Sequence, residues 1–144
     1  MKVKECMCND VLYCFTDTKI SDVAKMMKEK HIGCIPVCNN DKSVVGILTD
    51  RDIILRSVAC GKDTCSTNVS EIMTCNTICC DCNEDLAYVT KKMGEAGIRR
   101  IPVTENGKLV GILSLGDFAK HQNISSECVG NTFENICNCN KQNC

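Results

Sequence analysis

Apolar residues along the chain fall into short blocks whose order recurs. Ile20, Val23, Ala24 and Met27 share one face of a helix, with Lys25, Lys28 and Glu29 on the other. Leu86, Val89 and Met93 repeat that face against Lys91, Lys92 and Glu95. Thr18 and Asn83 are the predicted N-caps, and Gly33 and Gly97 suit the helix exits. A short extended piece precedes each helix, Val11-Leu12-Tyr13-Cys14-Phe15 and Thr77-Ile78-Cys79-Cys80. A hairpin follows each. Ile35-Pro36-Val37-Cys38 turns into Val44 to Leu48, and Ile101-Pro102-Val103-Thr104 turns at Asn106-Gly107 into Leu109 to Leu113. Asn-Gly is a strong type I′ signal. Pro36 and Pro102 lack an N–H, which predicts an edge position or the first residues of a strand. A second helix is predicted from Asp50 to about Cys60, and its counterpart from Leu115 to about Gln122.

Val3-Lys4-Glu5-Cys6-Met7 returns as Val69-Ser70-Glu71-Ile72-Met73, 66 positions later. The apolar helix positions and both prolines keep that spacing, which drops to 65 after the hairpin turn. Helix face, proline and turn recur together, so the chain is a duplication. The order β-α-β-β-α twice over predicts an α/β (α+β) fold. One repeat alone has too little to cover its sheet, so the two are expected to pack together. The predicted boundaries are residues 3–60 for the first repeat, 61–68 for a polar linker and 69–124 for the second repeat. Residues 125–144, rich in Asn and Cys, are read as a flexible tail.

Composition narrows the function. The formal charge is -1 and aromatic residues make up 3%, a poor setting for binding nucleic acid by phosphate contacts or base stacking. No apolar run is long enough to span a membrane, and the start lacks the apolar stretch of a signal peptide. A cytoplasmic protein is expected. The 15 cysteines then read as reduced thiols, several standing where a small apolar residue fits.

Thr49-Asp50-Arg51-Asp52 and Ser114-Leu115-Gly116-Asp117 each put a hydroxyl at the end of a strand and a carboxylate three residues on. This is the spacing of a helix capping box. The same geometry suits a ligand, because a carboxylate accepts ribose hydroxyls and a helix start attracts phosphate. The two roles are compatible. Arg99-Arg100 precedes the second Ile-Pro-Val strand, whereas Gly33-Cys34 precedes the first with His31 nearby. Two adjacent arginines fit either a solvated strand edge or a phosphate site. Arg51 and Lys120 suit solvated helix faces, Arg51 being the better placed for phosphate. Neither His31 nor His121 has the setting of a catalytic group, and no phosphate-binding glycine motif occurs. Cys6-Met7-Cys8, Cys79-Cys80-Asp81-Cys82 and Cys137-Asn138-Cys139 lack the paired spacing of a structural zinc site.

The two Ile-Pro-Val strands and the Gly-Ile-Leu-(Thr/Ser)-x-x-Asp ends resemble a pair of cystathionine-β-synthase-type (CBS) domains, a Bateman module, from about residue 3 to 122. The resemblance implies two repeats packed through their sheets about a pseudo-twofold axis, with two clefts between them. It implies AMP, ADP, ATP or S-adenosylmethionine as ligand; the residues themselves, with no nucleophile-and-base setting and no metal-ligand spacing, predict no catalysis and no resident cofactor or metal. Asp52 and Asp117 would hold the ribose, with Thr49 and Ser114 beside it. Ile35, Pro36, Ile101, Pro102, Val11 and Ile78 would line the adenine, and Arg99 and Arg100 would face phosphates. It further implies a homodimer that signals to a partner protein. The competing readings are an interaction module with empty clefts, and a redox or metal sensor built on Cys79, Cys80 and Cys82.

Overall fold

The computed structural model describes residues 1–121 and residues 130, 131, 134 and 135. The tail expected over 125–144, those four positions apart, lies outside the described residues, as does the predicted helix end at Gln122. The chain divides into two compact units. One is Leu12–Thr77, and the other joins Met1–Val11 to the stretch beginning at Ile78.

In the Leu12–Thr77 unit, β1 (Cys14–Phe15) runs parallel to β2 (Cys34–Cys38), which pairs antiparallel with β3 (Val44–Thr49). The helix α1 (Ile20–Lys30) lays Ile20, Val23 and Met27 against the sheet residues Ile35, Val37 and Leu48. Burying one such aliphatic side chain stabilises by about 1.5–3 kcal/mol. A short α2 (Asp50–Ile53) follows β3 and widens into a π-helical turn over Ile54–Val58. The other unit repeats the plan with β4 (Cys80–Asp81), α3 (Leu86–Ala96), β5 (Arg100–Glu105), β6 (Lys108–Ser114) and α4 (Leu115–Lys120). Its core gathers Leu86, Val89, Met93, Ile101, Val103, Leu113 and Phe118.

Each unit is completed by the opening segment of the other repeat. Val3 and Cys6 lie in the core with Ile101 and Leu113, and Cys8 exchanges backbone hydrogen bonds with Ile112 on β6. Likewise Val69 and Ile72 lie with Ile35 and Leu48, and Thr74 exchanges hydrogen bonds with Ile47 on β3. Nothing in the recurrence of Val-x-Glu-x-Met marks which repeat each copy covers.

Several local expectations are corrected. α1 begins after Lys19, and Thr18 instead accepts from the Phe15 N–H at 3.0 Å. α3 is capped by Asp85, whose Oδ1 accepts from the N–H groups of Ala87 and Tyr88, in place of Asn83. Gly97 does end α3 in the left-handed region at φ 67, but α1 ends on His31 at φ 54, leaving Gly33 another role. The prolines are neither on edge strands nor at strand starts: Pro36 is third in β2, the middle strand of its sheet. The reason it fits is local. Ile47, its partner across the ladder, spends its own N–H and C=O on Thr74, so Pro36 faces it as a non-hydrogen-bonded pair. The missing N–H therefore points to the other side, where β1 pairs only from Val37 onward. Pro102, opposite Ile112 and just before the Cys80–Val103 pair, repeats this arrangement.

Candidate functional site

The end of β3 and the start of α2 bring Thr49, Asp50, Arg51 and Asp52 together. Thr49 is extended (φ -112, ψ 161), so its hydroxyl swings over the first turn and accepts from the Asp52 N–H at 3.1 Å. Asp52 Oδ2 returns the bond by accepting from the Thr49 N–H at 3.0 Å. This is a complete capping box with Asp in place of the usual Glu. Asp52 Oδ1 faces Arg56 Nε at 3.7 Å, while the same guanidinium donates to the Ile72 carbonyl at 3.2 Å.

Ser114 and Asp117 form the matching turn at the end of β6. The Asp117 N–H donates to Ser114 Oγ at 3.1 Å, and Asp117 Oδ2 accepts both the Ser114 N–H at 3.1 Å and the Ser114 hydroxyl at 2.5 Å. All of these bonds use one carboxylate oxygen. Asp117 Oδ1 accepts no hydrogen bond from a described residue. The carboxylate that closes the cap thus keeps a second oxygen free to accept a ligand hydroxyl.

The strand starts lie beside these turns. The Asp50 N–H donates to the Gly33 carbonyl at 3.0 Å, and the Leu115 N–H donates to the Arg99 carbonyl at 3.1 Å. Arg100 pairs in register with Ser114. Arg99 and Arg100 are both exposed and form no ion pair with a described residue. Arg51 is exposed as well. A Cβ on Gly33 would meet the end of the Asp50 side chain, with Oδ2 at 3.0 Å.

Not every predicted contact residue is accessible. Ile35 and Ile101 are 0% exposed and belong to the two cores. Pro36 and Pro102 are buried beside them, for the same reason: these strands are the middle of each sheet. Val11 is half-buried and Ile78 is exposed. Asp50 and Arg56 are further members of this turn to which the sequence assigns no site role; Asp50 standing opposite Leu115 in the aligned repeats is the signal that marks the first of them.

The cysteine clusters are drawn into structure. Cys80 and Cys82 are buried, with Cys80 Sγ near the Pro102 carbonyl and Cys82 Sγ near Glu105 Oε1. Burial pushes the Cys80 thiol to about 12, and burial also raises Cys79 and, with Glu105 beside it, Cys82. Thiols held protonated are poor nucleophiles and poor metal ligands. Among the described residues no three His, Cys, Asp or Glu side chains are grouped to hold a metal ion.

The model of the CBS domain matches residues 3–59 and again residues 69–123. The chain belongs to the CBS-domain family, as a tandem pair. CBS domains are typically non-catalytic regulatory modules. The chain is 37% identical to the CBS domain-containing protein YhcV of Bacillus subtilis over 134 residues, 93% of this chain and 94% of YhcV. Its fold is similar to that of Hypoxic Response Protein I with two coordinated zinc ions (TM-score 0.78, 30% identity, 84% of this chain and 98% of that one). It is also similar to the CBS domain pair of protein MJ0100 in complex with 5′-methylthioadenosine and S-adenosyl-L-methionine (TM-score 0.72, 26% identity, 83% and 94%). Adenosine-derived ligands are therefore found among CBS relatives. Among the described residues no helix is long and apolar enough to cross a membrane.

Proposed function

We propose that this CBS pair is a cytoplasmic sensor that binds adenine nucleotides or adenosine derivatives at its two Thr/Ser-x-x-Asp turns and passes occupancy to a partner protein. The observation that carries this reading is the split use of Asp117: Oδ2 closes the cap while Oδ1 remains open. A carboxylate held by its own helix start is already oriented, so accepting a ribose hydroxyl costs little further ordering. Asp52, Thr49, Ser114, Val11 and Ile78 are the other accessible members of the two sites, with Arg99 and Arg100 for phosphates and Arg51 exposed beside the Thr49–Asp52 turn. The ligand complex of the relative MJ0100 supports the same class of ligand.

Asp117→Ala tests the role directly. It is expected to weaken AMP binding at least tenfold at its turn, while loss of the cap lowers stability by about 1 kcal/mol. Unchanged affinity on a folded variant leaves Asp117 as a cap alone and favours an interaction module without ligand.

The second part of the proposal is a homodimer. Ile54, Leu55 and Val58 are 58%, 48% and 62% exposed on the helical turn after α2, an apolar group that a second copy would cover. Sedimentation of the wild type should give a dimer, and Val58→Asp should shift it toward monomer. A monomeric wild type at micromolar concentration rules this part out.

A further inference from the structure

The two turns share one backbone frame, defined by the bonds from the Asp50 N–H to the Gly33 carbonyl and from the Leu115 N–H to the Arg99 carbonyl. Those bonds pair Gly33 with Arg99 and Asp50 with Leu115 without reference to sequence spacing. Their chemistry is opposite. In one repeat the strand start carries Arg99 and Arg100, both exposed, and the residue opening the helix is the apolar, 5% exposed Leu115. In the other repeat the strand start is Gly33-Cys34, and the residue opening the helix is the exposed Asp50.

The Asp50 carboxylate also occupies the space in which a side chain at position 33 would begin. Oδ2 lies 3.0 Å from the position of a Cβ on Gly33, and Oδ1 accepts from the Arg51 N–H at 2.8 Å. Where one turn has two exposed arginines in the strand start bonded to it, the other has a carboxylate beside the glycine of that start. The remaining charges do not restore the balance. Arg56 is engaged with Asp52 and with the Ile72 carbonyl, so it answers the ribose-type carboxylate and not Asp50. Arg51 is the one other cation within the Thr49–Asp52 turn, and it is set against Asp50 as its immediate neighbour in the chain.

We propose that the two turns select adenosine ligands of opposite charge. The Ser114–Asp117 turn takes those with a 5′-phosphate, and the Thr49–Asp52 turn takes those with a neutral or cationic 5′ group, Asp50 being the discriminating residue. This rests on the nucleotide reading above and deepens it. A phosphate brought to Asp50 meets like charge at close range, whereas at Arg99 and Arg100 it meets two forked donors suited to its oxygens. A sulfonium or thioether at the same 5′ position is free of that repulsion. A single chain would then report two ligand pools at once, one anionic and one not.

The experiment titrates AMP and 5′-methylthioadenosine calorimetrically into wild type, Asp52→Ala, Asp117→Ala and Asp50→Leu, each checked for a cooperative unfolding transition. AMP should bind wild type at one site per chain, survive Asp52→Ala and be lost in Asp117→Ala. 5′-Methylthioadenosine should retain a site in Asp117→Ala that Asp52→Ala removes. Asp50→Leu installs the residue of the other repeat at an exposed position outside the capping box, and should admit AMP to the second turn with at least a tenfold gain there. AMP filling both turns of the wild type equally, or no change on Asp50→Leu, overturns charge selection while leaving the nucleotide reading intact. Wild type that binds neither compound overturns the nucleotide reading itself, and this inference with it.

Discussion

At Gly111 a methyl group has nowhere to go. A Cβ there would stand 2.8 Å from the Cys8 carbonyl oxygen and 2.8 Å from Met7 Sδ, and the carbonyl is fixed by its exchange of hydrogen bonds with Ile112. At Gly33 the nearest group is the end of a flexible Asp side chain at 3.0 Å. Gly111→Ala should therefore cost about 1–3 kcal/mol in urea unfolding, and Gly33→Ala well under 1 kcal/mol. Equal costs would mean that the Cys8 segment does not press on β6. The same residues show what the sequence carried at this scale. Thr49 with Asp52 and Ser114 with Asp117 were readable because capping is a local rule of spacing three. The link between Gly33 and Asp50 was not, because it joins positions brought together only by the β2–β3 hairpin.

The elements were legible where one periodicity acts alone. The amphipathic faces of α1 and α3, and the Asn106-Gly107 turn with both φ angles positive at 52 and 78, follow directly from local pattern. Strand order does not follow from pattern. A proline predicts an edge or the first residues of a strand, but β1 is only two residues long and leaves the middle strand locally unpaired at Pro36. Short β1 and β4 strands also explain the cysteines at Cys14 and Cys80, which turn inward at 3% and 2% exposure. Burial, with Cys38 adding to it, pushes the Cys14 thiol from 9.0 to about 12; burial, with Glu84 the next contribution, does the same for Cys80. Below pH 9 both thiols are protonated in folded and unfolded chains alike, so their contribution is fully present. Between about 9 and 12 the unfolded chain loses these protons and the folded chain keeps them, so stability falls as pH rises. Each thiol contributes a slope of up to about 1.4 kcal/mol per pH unit in that window. Urea unfolding under reductant at about pH 8 and 10.5 should show the loss, and Cys14→Ala should remove one thiol's share of it. A slope unchanged in Cys14→Ala places that thiol in water.

At the scale of the molecule, duplication was written plainly in the sequence, while the exchange of opening segments was not. Val3 and Val69 carry equal apolar signals, and either could have covered the sheet that follows it in the chain. In the structure Met7 packs against Gly111 and Met73 against Gly46. The consequence is that each unit joins the opening segment of one repeat to the strands and helices of the other. The function proposed for this architecture is ligand sensing at the Thr49–Asp52 and Ser114–Asp117 turns. Calorimetric titration of the reduced, metal-free protein with AMP, ATP and S-adenosylmethionine, with GTP as control, tests it most directly. Saturable heats at micromolar concentrations for adenosine ligands and none for GTP are the predicted result. Flat traces for every ligand on protein shown to be folded would contradict it.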